Sequence, residues 1–400
     1  PSMNLTQFLH KARREHPDRI AAVCGDRRTS FAEIAGRVER LAGALVAAGA
    51  QAGDRVAMFG LNSDRYLETL LACWWAGLVA APVNCRWAVE EIVASFQDYE
   101  PGILFIDDPF LPLLTALRER MPSLATIIYM GEVSVPEGAL TYEAILAAAE
   151  PLPDSRHGGD DPAVLFYTGG TTGRAKGVLL SHGALYVTAL ASSAGRTPGA
   201  TNLNGVPMFH VAGLIVLLHA MIGQSTQVML PAFDPGKFLE LIERERVAET
   251  GLVPTMIKWL VDHPAMGERD LSSWNRLYYG RSPIEEALLE QTVAKLPHVS
   301  LMQFYGMTET SAISAALPDW CHQAEGRAEG CHRAAGFPVP SMEMRIAGPH
   351  GEELPAGQIG EVWLRGPGVM LRYWNRPEET AQAVQDGWMR TGDAGYFDSR

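Results

Sequence analysis

Apolar residues recur at helical spacing early in the chain, and short apolar runs follow such stretches. After Ser30 they come three or four positions apart, at Ile34, Val38, Leu41 and Leu45. This spacing predicts an amphipathic helix capped by Ser30, and the apolar residues 56–59 predict a strand after it. Similar stretches alternate along the next hundred residues or so. We therefore expect an α/β subdomain over residues 1–155, layered around a parallel sheet.

The pattern changes twice further along the chain. A polar, turn-rich segment at 151–162 predicts a boundary. A strand, a glycine-rich loop and a helix from His182 then predict a second α/β subdomain over residues 156–335. From 336 to 400, short alternating segments are separated by Gly and Pro, which predicts a small antiparallel, β-barrel-like subdomain. The predicted fold class is thus α/β, with two layered subdomains on mostly parallel sheets and a small β subdomain.

Composition narrows the function classes. Hydrophobic residues make up 47% of the 400 residues and charged residues 20%, which is typical of a globular protein in water. The net charge of −13 opposes extended contact with nucleic acid or anionic lipid. The longest apolar stretches are interrupted by charges or proline, so no transmembrane segment is expected. Nothing in the composition argues against a homodimer.

The five cysteines form no C-x-x-C pair. This favours reduced thiols and a cytoplasmic protein. Two Cys-His pairs, at 321–322 and 331–332, could be interpreted as a zinc site. Their spacing is not typical of zinc ligands, so an irregular loop is the favoured interpretation.

The segment LFYTGGTTGRAKGVLLSH, residues 165–182, contains the clearest chemical motif. Its glycines let backbone N–H groups approach an anion, and its hydroxyl groups and Lys176 are usual companions of such groups around phosphate. A Walker A loop does not match, because Ala175 precedes Lys176 and Gly177 follows it. The motif predicts a phosphate loop followed by a helix N-terminus.

Residues 167–177 resemble the phosphate loop of the adenylate-forming superfamily of acyl-CoA synthetases, nonribosomal adenylation domains and luciferases. Gly169 and Ala175 replace the serine and proline usual there. Four further segments are similar to family motifs and follow in the family's order, so that the resemblance covers essentially the whole chain. They are PMFHVAGL from 207, YYGRSPIEEALL from 278, QFYGMTET from 303 and GWMRTGDAGYFD from 387.

The resemblance implies an ATP or AMP site with distinct roles for its residues. Thr308 would bind the α-phosphate, Glu309 Mg²⁺, Tyr305 the adenine and Asp393 the ribose hydroxyls. The implied nucleotide-binding residues are Thr168, Gly170, Thr171, Thr172, Gly173, Lys176, Gly280, Tyr305, Gly306, Thr308 and Asp393. The implied catalytic residues are Lys176, Thr308, Glu309 and His210. Taken singly, each of these residues could also have a purely structural role, in a turn, at a helix N-terminus or in the apolar core.

The resemblance also implies an acyl pocket, bordered by His210. Its implied residues are His210, Val211, Gly213, Gly280, Arg281, Ser282, Gly306 and Met307. Arg281 departs from the family, which usually has a small residue there. Its guanidinium would either pair with a second polar group on the acid or turn into solvent.

The implied function is an AMP-forming carboxylate–CoA ligase that uses ATP, Mg²⁺ and CoA. One alternative is an adenylation domain that loads a carrier protein, with Asp234 as an amine ligand, although Asp234 also fits a turn before a helix. The other is a non-catalytic nucleotide- or acyl-adenylate-binding protein. The family's further C-terminal domain, with its catalytic lysine, has no counterpart in these 400 residues. We therefore expect the chain alone to turn over poorly.

Overall fold

The computed structural model of the chain describes residues 3–169 and 175–399. Within these residues the strands form one sheet of nine strands, one of eight and one of four. The two large sheets are mostly parallel and the small one is antiparallel. The predicted α/β fold class is confirmed.

Thirteen α-helices lie in the described part of the chain. They are α1 (Gln7–Glu15), α2 (Phe31–Ala47), α3 (Asp64–Trp75), α4 (Val89–Tyr99), α5 (Leu114–Arg120), α6 (Tyr142–Ala148), α7 (His182–Ala191), α8 (Val211–Ile222), α9 (Pro235–Glu245), α10 (Pro254–Val261), α11 (Glu286–Lys295), α12 (Ala324–Ala328) and α13 (Pro377–Ala383). The helix predicted after Ser30 is α2. Ser30 and Glu33 close its first turn with reciprocal side chain to backbone hydrogen bonds, a capping box.

The described residues contain twenty-one strands. They are β1 (Ile20–Cys24), β2 (Arg27–Ser30), β3 (Arg55–Phe59), β4 (Val79–Pro82), β5 (Ile103–Ile106), β6 (Thr126–Tyr129), β7 (Leu140–Thr141), β8 (Pro162–Thr168), β9 (Lys176–Ser181), β10 (Thr201–Asn204), β11 (Thr226–Met229), β12 (Glu249–Leu252), β13 (Arg276–Gly280), β14 (Ser300–Tyr305), β15 (Ala315–Leu317), β16 (Phe337–Pro338), β17 (Glu343–Ala347), β18 (Gly360–Arg365), β19 (Arg372–Tyr373), β20 (Val384–Gln385) and β21 (Trp388–Gly395).

The two large sheets have parallel centres and antiparallel edges. The eight-stranded sheet has the order β19-β9-β8-β4-β3-β5-β6-β7, with β9 and β19 antiparallel at one edge. The nine-stranded sheet has the order β16-β15-β14-β13-β12-β10-β11-β1-β2, with antiparallel pairs at both ends. The small sheet has the order β17-β18-β21-β20.

The three predicted segments do not coincide with the three sheets. Strands β1 and β2 join the nine-stranded sheet, whereas β8 and β9, which follow residue 155, join the eight-stranded sheet. Strand β19, from the last segment, also joins the eight-stranded sheet. Strand pairing depends on contacts between distant residues, which no local pattern records. The division into domains at 155/156 and 335/336 stays a prediction.

One apolar core connects the sheets. Its largest buried cluster contains Leu41 of α2, Trp74 of α3, Leu214 of α8 and Leu364 of β18. Burial of this kind is the main favourable contribution to folding. The small sheet therefore shares a core with the elements of the two large sheets.

The glycine-rich loop connects two antiparallel strands rather than a strand and a helix. Strands β8 and β9 pair with Thr168 opposite Lys176, and α7 begins only at His182. The helix predicted from His182 is confirmed as α7, but strand β9 lies between the loop and that helix, so the expectation that the loop leads directly into a helix N-terminus was wrong. The apolar run 178–180 is buried at every position, which is typical of a strand covered on both faces.

The structure joins Cys321 and Cys331 in a disulfide, with their Cα atoms 5.0 Å apart. The expectation of reduced thiols was wrong for this pair, because the short helical turns at Asp319–His322 and Cys331–Arg333 bring the two residues together. No cluster of three or more His, Cys, Asp or Glu side chains suited to a metal ion occurs within 3–169 and 175–399.

Among the residues that the structure describes, none of the helices has the length and apolar character needed to cross a bilayer.

Candidate active site

A cavity of about 280 Å³ lies at the carboxyl ends of parallel strands in the nine-stranded sheet. Gly251 and Leu252 of β12, Gly280 of β13 and Gly306, just after β14, all line it. Ligands of open α/β sheets commonly bind at this edge, because the loops that follow parallel strands converge there. The fold therefore places a ligand-sized cavity where such sheets bind ligands.

Two motif glycines are required at this edge by close backbone approaches. A Cβ on Gly280 would lie 2.7 Å from the carbonyl oxygen of Phe304, and one on Gly306 would lie 2.3 Å from that of Ala312. Any larger residue would push adjacent segments apart. The two glycines thus let β13, β14 and the turn after β14 close around the cavity.

Most of the predicted acyl-pocket residues line this cavity. They are His210, Val211, Gly280, Arg281, Gly306 and Met307. Gly213 and Ser282 are not part of the lining. A Cβ on Gly213 would lie 2.2 Å from the carbonyl oxygen of Pro207, so this glycine allows the start of α8 to pack closely against the preceding segment.

His210 immediately precedes α8 and borders the cavity. Its Nε2 is buried and has no hydrogen-bond partner within the described structure. Burial, together with the positive charges of Arg281 and Arg86, lowers the pKa of His210 to about 4. His210 is therefore neutral at neutral pH and presents an unpaired ring nitrogen.

Arg281 lines the cavity and is exposed to solvent. Its backbone φ of 76° lies in the left-handed region, which is uncommon for a residue with a side chain. From this position the guanidinium can reach either a substrate in the cavity or solvent. Arg86, four residues after β4, is a second guanidinium at the cavity.

Thr308 connects the cavity to a group of charged residues. It lines the cavity and begins the helical turn Thr308–Thr310, in which the next residue, Glu309, is buried. The hydroxyl of Tyr373 donates a hydrogen bond of 2.8 Å to Glu309 Oε1. The ammonium of Lys176 lies 5.1 Å from the centre of the Tyr373 ring. Glu309, Tyr373 and Lys176 thus form one contiguous polar group beside the cavity.

Lys176 also forms an ion pair with Glu379 of α13, with Nζ 2.7 Å from Oε2. Both side chains are about one-third exposed, at 32% and 36%. Thr168, the last residue of β8, pairs with Lys176, the first residue of β9, so the two residues flank the glycine-rich loop. The predicted phosphate ligands Gly170, Thr171, Thr172 and Gly173 lie outside the described residues.

Tyr305 and Asp393 meet between the nine-stranded sheet and the small sheet. The Tyr305 hydroxyl donates a hydrogen bond of 2.6 Å to Asp393 Oδ2. Burial, and then the nearby carboxylate, raise the pKa of Tyr305 above its usual value. Asp393 itself is exposed at the end of β21. Tyr305, predicted to contact the adenine, and Asp393, predicted to bind the ribose hydroxyls, are therefore hydrogen-bonded to each other.

Sequence reasoning missed Arg86, His219 and Tyr373. Arg86 closely follows a parallel strand, a position from which it could have been expected at the site. His219 lies eight residues after Val211 on α8, so helical spacing places it on the same face. Tyr373 carried no usable signal, because β19 reaches the site only by pairing with β9.

Comparison with known proteins agrees with this geometry. The model of the AMP-binding enzyme family matches residues 9–374. A feruloyl-CoA synthase from Amycolatopsis sp is 37% identical over 394 residues, which is 96% of this chain and 74% of that protein. The fatty acid–[acyl-carrier-protein] ligase ScoC from Streptomyces coeruleorubidus is 35% identical over 390 residues, 96% of this chain and 72% of that protein.

A solved structure is similar over nearly its whole length. The inhibitor-bound N-terminal domain of FACL13 from Mycobacterium tuberculosis superposes with a TM-score of 0.90 at 29% identity, covering 99% of this chain and 97% of that one. The chain belongs to the AMP-binding enzyme family, and the resemblance drawn from its motifs is confirmed.

Proposed function

We propose that this protein is an AMP-forming carboxylate–CoA ligase that binds ATP and a carboxylic acid and joins them as an acyl-adenylate. The observation that carries the proposal is the continuity at Thr308 and Glu309. Thr308 lines the cavity that would hold the acid. The next residue, Glu309, accepts a hydrogen bond from Tyr373, whose ring lies beside Lys176 in the β8–β9 hairpin, which carries the predicted phosphate loop. An acid in the cavity and a triphosphate at the hairpin would therefore meet at this turn.

In the first step, a carboxylate oxygen attacks the α-phosphorus of ATP. The bond from that phosphorus to the oxygen bridging to the β-phosphate breaks, and pyrophosphate leaves with the electron pair. Catalysis requires positioning and neutralisation of the accumulating negative charge. We assign charge neutralisation to Lys176 and a hydrogen bond to the α-phosphate to Thr308. The acceptor thiol then loses its proton to solvent and its sulfur attacks the carbonyl carbon, while the bond from that carbon to the phosphate oxygen breaks and AMP leaves with the electron pair.

His210 and Asp393 position the two substrates. The neutral ring of His210 borders the reacting carboxylate without adding a charge of its own. Asp393 accepts hydrogen bonds from the ribose hydroxyls. Because Oδ2 already accepts from Tyr305, Oδ1 is the freer oxygen for this role.

The residues at the site suit a Mg²⁺ ion that receives most of its ligands from the substrate rather than from the protein. Glu309 offers a hard carboxylate ligand, and the described residues contain no multi-carboxylate cage. Mg²⁺ commonly binds one or two protein carboxylates together with substrate phosphates and water. When bound, it would neutralise part of the phosphate charge.

The test is ATP–pyrophosphate exchange by the full-length protein, with a panel of aliphatic, aromatic and dicarboxylic acids. We expect acid-dependent exchange, reduced roughly a hundredfold by Lys176→Ala, since one preorganised charge contact typically contributes about that much. Lys258→Ala is the matched control, because Lys258 is an exposed lysine on α10 that forms an ion pair with Asp262, just after the helix. Absence of exchange with every acid would contradict the proposal, as would full activity in Lys176→Ala.

The acceptor thiol is tested in the same assay. CoA and a phosphopantetheinylated carrier protein are offered in parallel, because ScoC is named for the second acceptor. We expect thioester formation with CoA. A thioester formed only on the carrier protein would replace the CoA part of the proposal and leave adenylation intact.

A further inference from the structure

The acyl cavity contains a second histidine, which the reaction above does not use. His219 lies on α8 four residues after Ile215 and eight after Val211, and all three line the cavity. At about 1.5 Å per residue, the nine residues from His210 to His219 correspond to roughly 13 Å along the helix. His219 thus borders the cavity well away from the predicted position of the reacting carboxylate.

The hydrogen bonds around His219 determine which ring nitrogen carries the proton. Ser192 Oγ lies 2.6 Å from the carbonyl oxygen of Thr188 and 2.7 Å from His219 Nε2. A serine hydroxyl has one proton, and Ser192 donates it to the carbonyl. With the hydroxyl proton assigned to the carbonyl, which can only accept, we assign Nε2 as the donor to Ser192 and Nδ1 as the acceptor of the ring.

Nδ1 of His219 has no hydrogen-bond partner within the described residues, and only 1% of the residue's surface is exposed. Burial, with a smaller effect of Arg196, lowers the pKa of His219 well below its usual value, so Nδ1 stays an acceptor at neutral pH. Two of the nearby rings are those of Tyr278 and Phe304, with centroids 6.5 and 6.2 Å away. A buried acceptor without a donor is unfavourable, and native structures usually supply a partner.

We propose that a hydroxyl group on the distal part of the acyl group donates a hydrogen bond to His219 Nδ1. The enzyme would then prefer hydroxylated acids to the same acids without the hydroxyl. A site built to bond a hydroxyl discriminates strongly against the analogue that lacks it, because its own polar atom is left unpaired. This inference rests on the proposed function, since it takes the cavity as the acyl site.

The test measures binding, so that it does not depend on turnover. Non-hydrolysable acyl sulfamate analogues of the adenylate are titrated calorimetrically into the 400-residue chain in matched pairs. One pair carries an aromatic ring with and without a phenolic hydroxyl, and the other an aliphatic chain with and without a terminal hydroxyl. We expect the hydroxylated member of at least one pair to bind roughly tenfold or more tightly. The pair that responds identifies a phenol or an alcohol as the ligand.

Two variants separate recognition from packing. His219→Gln keeps a nitrogen donor near Ser192 but loses the acceptor at Nδ1, whereas His219→Asn keeps an oxygen acceptor near the Nδ1 position. We expect His219→Gln to abolish the preference within the pair and His219→Asn to retain part of it. Thermal unfolding of both variants reports on folding, and the wild-type pair ratio tests the inference even if neither variant folds.

The outcomes distinguish the two proposals. Tight but equal binding within both pairs, or an unchanged ratio in His219→Gln, would overturn the role of His219 and leave the acyl-adenylate site standing. If none of the analogues binds, the proposed function is overturned and the inference with it.

Discussion

Glu309 and Asp393 are both motif carboxylates that accept a hydrogen bond from a tyrosine hydroxyl, yet they lie in contrasting surroundings. Glu309 and its partner Tyr373 are both buried. Asp393 is exposed, and its partner Tyr305 is only partly buried. A carboxylate taken out of water depends on its protein partners, whereas an exposed one retains hydration. We therefore expect Glu309 to contribute to folding as well as to the proposed chemistry, and Asp393 to contribute mainly to the proposed nucleotide binding.

The largest expected effect is that of Glu309→Ala. Loss of the carboxylate should lower adenylation roughly a hundredfold and alter its Mg²⁺ dependence. It also leaves the Tyr373 hydroxyl unpaired, which should lower the free energy of unfolding by about 1–3 kcal/mol. Pyrophosphate exchange and thermal unfolding measure the two effects.

Glu309→Gln is the control for that experiment. Its amide oxygen still accepts from Tyr373, so stability should stay near that of the wild type while the rate falls with the lost charge. Wild-type exchange in both variants would remove Glu309 from the active site.

Asp393→Ala should raise the ATP concentration needed for half-maximal exchange by about tenfold, since hydrogen bonds to a charged group contribute roughly 1.5–3 kcal/mol. The melting temperature and the preference among acids should change little, because the ribose is common to every reaction. The measurement is exchange at varied ATP with two acids. Unchanged ATP dependence with altered acid preference would instead assign Asp393 to the acyl pocket.

Removing the hydroxyl group of each tyrosine tests the same contrast from the donor side. Tyr373→Phe leaves a buried carboxylate oxygen without its donor and should lower the free energy of unfolding by about 1–2 kcal/mol. Tyr305→Phe should lower it by less, roughly 0.5 kcal/mol, because water can replace the donor at exposed Asp393. Denaturant unfolding of both variants measures the difference. Equal losses would mean that the surroundings of the two carboxylates do not differ as the structure indicates.

The smallest expected effect concerns the ion pair of Lys176 with Glu379. A partly exposed ion pair contributes about 0–1 kcal/mol, so Glu379→Gln should free Lys176 for phosphate and tighten ATP binding by at most about fivefold. Calorimetric titration at low and high salt measures this, and the gain should shrink with added salt. Glu378→Gln, at the exposed neighbouring position on α13, is the matched control. Equal effects of the two substitutions would indicate a general charge effect only.

Local features of the sequence predicted one helix and several residues that line the cavity. The spacing after Ser30 predicted α2, and the motifs around Gly280, Gly306 and Thr308 named residues that line one cavity. Such motifs are readable because each carries its own turn or close backbone approach. The same reasoning placed α7 correctly but missed strand β9 before it, because a short buried strand and a buried helix segment have similar apolar runs.

The α/β class, the family and the set of candidate nucleotide and acyl residues follow from the sequence alone. The way in which these residues come together depends on long-range packing. Pairing of β19 with β9 brings Tyr373 to Glu309, the meeting of β21 with β14 bonds Tyr305 to Asp393, and the packing of α8 places His219 in the cavity. Propensity and spacing act over a few residues, whereas the hydrogen bonds of Glu309 and Asp393 join positions 64 and 88 residues apart in the sequence.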